Sequence, residues 1–300
     1  MEKTNPDLKF SQKHPLAFGF LLIAAAMILI IGAMAAFTFF MGNGKARTFF
    51  AKNKVGVVYV HGEIVASRSL AKWIDRLSED EEIKGVVLRI NSPGGGVAAS
   101  QEIFAAVERL AASKYVVASM SSMATSGGYY VACGADKIMA NPGTITASIG
   151  VKAKMTNVQG LMDKLGIKEQ TVDSGKYKNA GSMFKPLTPD ERAYFQELVD
   201  NLHAQFVEDV AASRAMSVEA VNELADGRAM TGEQAWEAGL VDTLGGFDAA
   251  IESVCSEAGY KGKCTLVEGP QTKEPLLKKF LGHFFSPDQV LSPHWLFYYE

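Results

Sequence analysis

Apolar positions follow two different rhythms along this chain, and the change between them divides it. Leu16 to Met41 is a run of 26 residues without a single charge. As a helix rising 1.5 Å per residue it spans a bilayer core of roughly 30 Å with some tilt. A cleavable signal peptide is the other reading, since Ala33-Met34-Ala35 has the look of a cleavage site. The run continues past that site and exceeds an ordinary signal-peptide core, which favours an uncleaved anchor. Lys3, Lys9 and Lys13 precede it while Lys45, Arg47, Lys52 and Lys54 follow it, so flanking charge does not orient the span. The short N-terminus leans toward a cytoplasmic start.

After a polar stretch (42–54) the rhythm becomes strand, helix, strand. Val55 to Val60 is a continuous apolar strand, and Ser67 to Asp80 has helical spacing, with Leu70, Trp73, Ile74 and Leu77 on one face. Val86 to Ile90 is a second strand, Ala98 to Ala112 a helix with Ile103, Val107 and Leu110 inward, and Tyr115 to Met120 a third strand. Strands apolar on both faces, alternating with helices, predict an α/β fold with a covered, mostly parallel sheet. A further strand is expected at Lys168 to Val172. Beyond residue 186 the chain turns helical. Thr188-Pro189-Asp190-Glu191 is a capping box that opens a helix reaching about Arg214, with a stripe of Tyr194, Leu198, Leu202, Phe206 and Val210. Thr231 to Gln234 opens another in the same way. The division expected is a cytoplasmic segment (1–15), an anchor (16–41), a linker (42–54), a catalytic domain (55–268) and a tail (269–300).

Charge and composition add exclusions. A net charge of −3 offers no basic excess for nucleic acid, and the 48% of hydrophobic residues suffice for a real core. Three cysteines do not build a disulfide fold. Cys255 and Cys264 can pair in an oxidising compartment, whereas Cys133 reads as a small buried hydrophobe. Histidine and cysteine spacing offers no metal site and no cofactor site.

Two glycine-rich turns fall at carboxyl ends of neighbouring strands, where ligands gather in such sheets. One is Asn91-Ser92-Pro93-Gly94-Gly95-Gly96; the other is Ser126-Gly127-Gly128, before a helix. Ser126 at that helix start suits a nucleophile, although serine often merely caps helices there. None of the five histidines lies between His61 and His203, which leaves a serine-histidine-acid triad poorly supported. A Ser-Lys dyad is the alternative. Its base requires an uncharged lysine, favoured by burial and neighbouring cations. The segment Ser174 to Ser182 offers Lys176 and Lys178, with Lys185 nearby. Backbone amides of the Gly94-Gly95-Gly96 turn, with the Gly127 amide as second donor, are suited to hold an oxyanion. The first turn lacks the lysine and hydroxyl of a P-loop, so a phosphate cradle is disfavoured.

Four blocks, in this order, resemble the signal peptide peptidase A family of membrane-anchored S49 serine peptidases. They are Asn91 to Val97, Met123 to Tyr130, Ser174 to Asn179, and Gly227 to Ala235 with Gly239 to Asp242. The resemblance covers about Val55 to Cys255. It implies a ClpP/crotonase-like fold, degradation of cleaved signal peptides, and a catalytic domain outside the cytoplasm on the inner membrane. Carried over by position, Ser126 is the nucleophile, Lys178 rather than Lys176 the general base, and Gly95 and Gly127 the oxyanion donors. The chain is of the half-length type, with one serine block and one lysine block. The family analogy implies a homo-oligomeric ring of about eight subunits in which Lys178 serves a neighbour's Ser126. No metal or organic cofactor is implied; membrane lipid and hydrophobic peptides are the partners. The rival readings are a non-catalytic membrane scaffold and a crotonase-type acyl-CoA enzyme. The tail matches nothing, but its apolar end, Trp295 to Tyr299, resembles substrate and is expected in the protein's own groove or on a membrane, unless it is only a packing extension.

Overall fold

The computed structural model describes residues 14–41, 53–270 and 297–299. Most of the expected N-terminal segment, linker and tail lie outside these residues. The chain divides into two units, 1–51 and 52–300. The first holds α1 (Pro15–Met41), whose stretch Pro15–Ala33 is the one helix among the described residues long and apolar enough to cross a membrane.

The second unit is built on an eight-stranded sheet. Its strands in chain order are β1 (Lys54–His61), β2 (Ile83–Ser92), β4 (Tyr115–Thr125), β5 (Lys137–Ala140), β6 (Ile145–Ala147), β8 (Ala229–Thr231), β9 (Thr243–Leu244) and β10 (Thr265–Gly269). The main path runs β10-β1-β2-β4-β5-β9, parallel throughout, with β6 added beside the far end of β4 and β8 antiparallel to β6. A separate small sheet joins β3 (Gly95–Gly96), β7 (Lys152–Ala153) and β11 (Phe297–Tyr299).

Both faces of the large sheet are covered, which is why its central strands carry continuous apolar runs such as Val86 to Leu88 rather than a strict alternation. Val55, Val87 and Val117 pack against Ala250 and Val254 of α9 (Phe247–Glu257). Val86, Leu88, Val116 and Met120 join the larger core with α2 (Arg68–Glu79), α3 (Val97–Ala111) and α4 (Gly127–Ala132). Phe206 of α6 (Pro189–Arg214) completes that core by edge contact with Tyr130, centroids 4.8 Å apart. Between α4 and α6 lie β5 to β7, the short α5 (Gln159–Lys164) and an extended arm; α7 (Val218–Leu224) and α8 (Gly232–Glu237) follow α6.

The two expected capping boxes form, Thr188 with Glu191 on α6 and Thr231 with Gln234 on α8. Two expectations fail. Lys168 to Val172 is not a strand: the segment is exposed, Val172 completely, and no strand among the described residues pairs with it. The α6 stripe is shifted, with Phe195, Val207 and Ala211 buried beside Phe206 and Val210 while Tyr194, Leu198 and Leu202 are only half-buried. Cys255 and Cys264 form a disulfide that ties the end of α9 to the chain entering β10. Cys133 is free and buried, and that burial pushes its thiol up to about 12.

Candidate active site

Parallel pairing of β2 with β4 brings the two glycine turns together, with Ser92 opposite Ala124. Ser126 follows directly at the end of β4. It sits at φ +53°, ψ −117°, a conformation that costs a non-glycine residue about 1–3 kcal/mol and persists only when its surroundings enforce it. Two hydrogen bonds do so: Ser126 N–H donates to the Ala147 carbonyl at 2.7 Å, and Tyr130 N–H donates to the Ser126 carbonyl at 2.8 Å. Ala147 and Ser148 also have positive φ, so strain concentrates on both sides of this contact. The Ser126 side chain is fully buried, yet its Oγ has no hydrogen-bond partner. A buried hydroxyl normally finds one, because leaving it unpaired costs about 1–3 kcal/mol. Among the described residues nothing supplies that partner.

Gly127 and Gly128 are small because other backbone passes against them. A methyl group at Gly127 would lie 3.2 Å from the Gly95 amide nitrogen, and one at Gly128 would lie 2.9 Å from the Ser92 carbonyl oxygen. The Gly95 amide is aimed by its neighbour in β-bridge, Ile64. Ile64 N–H donates to the Gly94 carbonyl and Gly96 N–H donates to the Ile64 carbonyl, both at 2.8 Å. In a trans peptide the N–H points opposite to the C=O, so anchoring the Gly94 carbonyl on Ile64 turns the Gly95 N–H away from it. Gly127 begins α4, and a first-turn amide has no acceptor within its own helix. With only six residues, α4 contributes these amides rather than a large helix dipole.

The lysine segment lies elsewhere. Lys178 stands exposed in a turn of the arm, its N–H donating to the Gly175 carbonyl at 3.0 Å, and it makes no hydrogen bond to Ser126 within the chain. Lys176 pairs with Asp190 at 2.7 Å, and Lys185 pairs with Glu191. Those carboxylates neutralise the two cations expected to surround Lys178, which corrects that part of the sequence reading. The carboxylate at Asp190 also raises Lys176 above the usual lysine range, the wrong direction for a base. His203 lies on α6 as expected, its Nε2 buried without a partner. Among the described residues, no cluster of three or more histidine, cysteine or acidic side chains could hold a metal.

The small sheet forms a groove beside these turns. β11 runs antiparallel to β3, with Tyr299 opposite Gly95 and Tyr298 opposite Gly96, and antiparallel to β7, with Phe297 opposite Ala153 and Tyr298 opposite Lys152. The end of the tail thus lies as a strand between the oxyanion candidate and β7. Along β7 a cavity of about 450 Å³ opens toward α6, lined by Val151, Met155, Leu187, Arg192 and Phe195 among others. The role of Ile64, whose backbone anchors the glycine turn, has no signature in the sequence.

Residues 108–261 match the family model described as Peptidase family S49. The chain belongs to that peptidase family. A putative protease of Synechocystis sp. is 38% identical over 232 residues, covering 77% of this chain and 84% of that protein. A putative signal peptide peptidase SppA of Enterococcus faecium is 41% identical over 187 residues, covering 61% of this chain and 54% of the relative. The chloroplastic serine protease SPPA of Arabidopsis thaliana is 35% identical over 76% of this chain, which spans only 34% of it. Among solved structures, a ClpP1 mutant from Listeria monocytogenes shares 16% identity at a TM-score of 0.45, covering 65% of this chain and 93% of that one. S49 membership makes this chain a protease of α/β fold.

Proposed function

We propose that this S49 protein is a membrane-anchored serine endopeptidase in which Ser126 of one protomer and Lys178 of the next form a dyad that degrades cleaved signal peptides. The observation that carries the reading is the Ser126 hydroxyl, buried, strained and unpartnered among the described residues, next in sequence to Gly127, which packs against the Gly95 amide. In the reaction, uncharged Lys178 Nζ takes the Ser126 proton as Oγ attacks the peptide carbonyl carbon. The carbonyl oxygen becomes an oxyanion held by the Gly95 and Gly127 amides. On collapse the C–N bond breaks, the lysine ammonium protonates the departing amine, and an acyl-Ser126 ester remains. Water then attacks the ester, giving its proton to Lys178, and the serine oxygen leaves and recovers that proton as the new carboxyl end is released.

The base comes from a neighbour because Lys178 is exposed and unengaged in its own chain. The arm that bears it and the α5 helix before it present Leu161 at 58%, Leu165 at 62% and Val172 at 100% exposure, apolar surface suited to burial against a second copy. The family analogy sets the ring at about eight subunits. Substrate binds as an extended strand between β3 and β7, the place taken by β11, with apolar side chains finding room along β7. The tail end is accordingly a substrate mimic that competes for its own groove. The Cys255–Cys264 disulfide supports a domain on the oxidising, extracytoplasmic side, with α1 as its anchor in membrane lipid.

The test is complementation in detergent with a fluorogenic apolar peptide. Ser126→Ala and Lys178→Ala are each expected to be inactive alone, whereas co-assembly of the two restores part of the activity. Lack of restoration in verified mixed oligomers would refute the shared dyad; full activity of Ser126→Ala would refute the nucleophile.

A further inference from the structure

A glycine turn is a poor holder of an oxyanion unless something stops it moving, since glycine visits more backbone wells than any other residue. Gly94 and Gly95 sit at φ +108° and +155°, so side-chain sterics do nothing to fix them. Three buried hydroxyls surround this turn, and the reaction uses none of them. Thr125 Oγ1 donates to the Pro93 carbonyl at 3.0 Å. Ser92 Oγ accepts from the Gly94 N–H at 3.1 Å and donates to the Gly62 carbonyl at 2.6 Å. Ser100 Oγ donates to the Gly96 carbonyl at 3.0 Å. Ser92 and Ser100 are fully buried and Thr125 is 7% exposed.

Their placement follows the turn peptide by peptide. The Pro93–Gly94 unit is held at its oxygen by Thr125 and at its N–H by Ser92. The next unit is held at its oxygen by Ile64, which turns the Gly95 N–H away from Ile64. Beyond Gly95, the Gly96–Val97 unit is held at its oxygen by Ser100. Thr125 is also the residue before Ser126, so one hydrogen bond links the strand carrying the nucleophile to the turn carrying the oxyanion donor. Ser100 closes the other side: its Oγ lies 2.5 Å from where a methyl group on Gly127 would be, against the second donor.

We infer that Thr125 and Ser100 are positioning residues for the peptidase reaction, their hydroxyls clamping the Pro93–Gly96 turn so that the Gly95 amide keeps its distance and angle to Ser126. The inference rests on the nucleophile and oxyanion roles proposed above. Its signature is a loss confined to the transition state. The ground-state peptide is held by strand pairing, which the clamp does not make, whereas the oxyanion forms only as bonds change.

The experiment uses the full chain in detergent, comparing Thr125→Val, Thr125→Ser and Ser100→Ala with wild type and with Ser126→Ala. Misplacing a catalytic donor by an ångström costs about 100-fold, so a loosened clamp is expected to lower kcat by about 10- to 100-fold with KM within about twofold. Thr125→Ser, which keeps the hydroxyl, should restore most of the rate. A peptide aldehyde, whose hemiacetal with Ser126 needs the same donors, should lose affinity in Thr125→Val and Ser100→Ala in step with kcat/KM. A hydroxyl that only satisfies a buried carbonyl would lower Tm and leave kcat and aldehyde affinity of the folded protein unchanged. That result, or a Thr125→Ser variant as slow as Thr125→Val, overturns the inference. If Thr125→Val does not assemble, Ser100→Ala alone decides by the same two readouts. Activity persisting in Ser126→Ala overturns the underlying assignment instead, which keeps the two failures distinct.

Discussion

Replacing Gly95 with alanine offers the sharpest test of the proposed oxyanion geometry, because the obstacle is backbone. A methyl group there would lie 2.3 Å from the Ile64 carbonyl oxygen, 2.6 Å from its nitrogen and 2.7 Å from its carbonyl carbon. Side chains swing aside, but Ile64 is joined to the turn by the two hydrogen bonds that aim the Gly95 amide. Restoring ordinary contact needs a separation of about 1 Å, and the φ of +155° adds strain for any L-residue. Losing both hydrogen bonds removes about 2 kcal/mol of local stability at about 1 kcal/mol each. The catalytic loss is larger: removing one oxyanion donor lowers kcat by about 10²- to 10³-fold, or about 3–4 kcal/mol of transition-state stabilisation. Gly96→Ala is the internal comparison, since its methyl group would approach nothing closer than 3.6 Å. Steady-state kinetics on a fluorogenic peptide, with circular dichroism and oligomer size as controls, should therefore separate two adjacent alanines by two orders of magnitude in kcat. A folded Gly95→Ala protein with a kcat near that of Gly96→Ala would refute the donor assignment.

Two further outcomes are expected. Deleting the chain beyond Gly269 removes the strand that occupies the groove, so the apparent KM for a short peptide should fall while kcat holds. For a tethered competitor the fall is one plus the ratio of its effective concentration to its dissociation constant from the groove, and an unchanged KM would refute competition by the tail. On α6, Lys185 and then the Thr188 amide hold the Glu191 carboxyl below its usual range. A depressed carboxyl stabilises the fold fully above its unfolded value of about 4.3, and that contribution disappears as pH falls through the lower folded value. Thermal melts from pH 3 to 6 should show a shallower acid decline in Glu191→Gln than in wild type; parallel curves would exclude Glu191 as a source of it.

The sheet was legible because strands buried on both faces carry runs of apolar residues rather than an alternation, as Val55 to Val60 and Val86 to Leu88 do. The starts of α6 and α8 were legible because a capping box is a local device whose partners lie three residues apart. What escaped was non-local or conformational. Lys168 to Val172 ends in two strand-favouring residues, Thr171 and Val172, but a strand exists only where another strand offers its hydrogen bonds. Ile64 serves the site through its backbone, which leaves no mark on residue choice. The positive φ of Ser126, Ala147 and Ser148 comes from the contact between β4 and β6, made by residues too few to announce a strand. The pairing of Lys176 and Lys185 with Asp190 and Glu191 was within reach, since both acids sit at the start of α6 just beyond the lysine block.

The register of β11 bears on how the protein is handled at the bench. Tyr299 lies opposite Gly95. An affinity handle or fluorescent fusion joined directly after Tyr299 would continue the strand past Ser126, the proposed nucleophile. Such a fusion would either be clipped off or jam the cleft, so purification and imaging tags belong at the amino end.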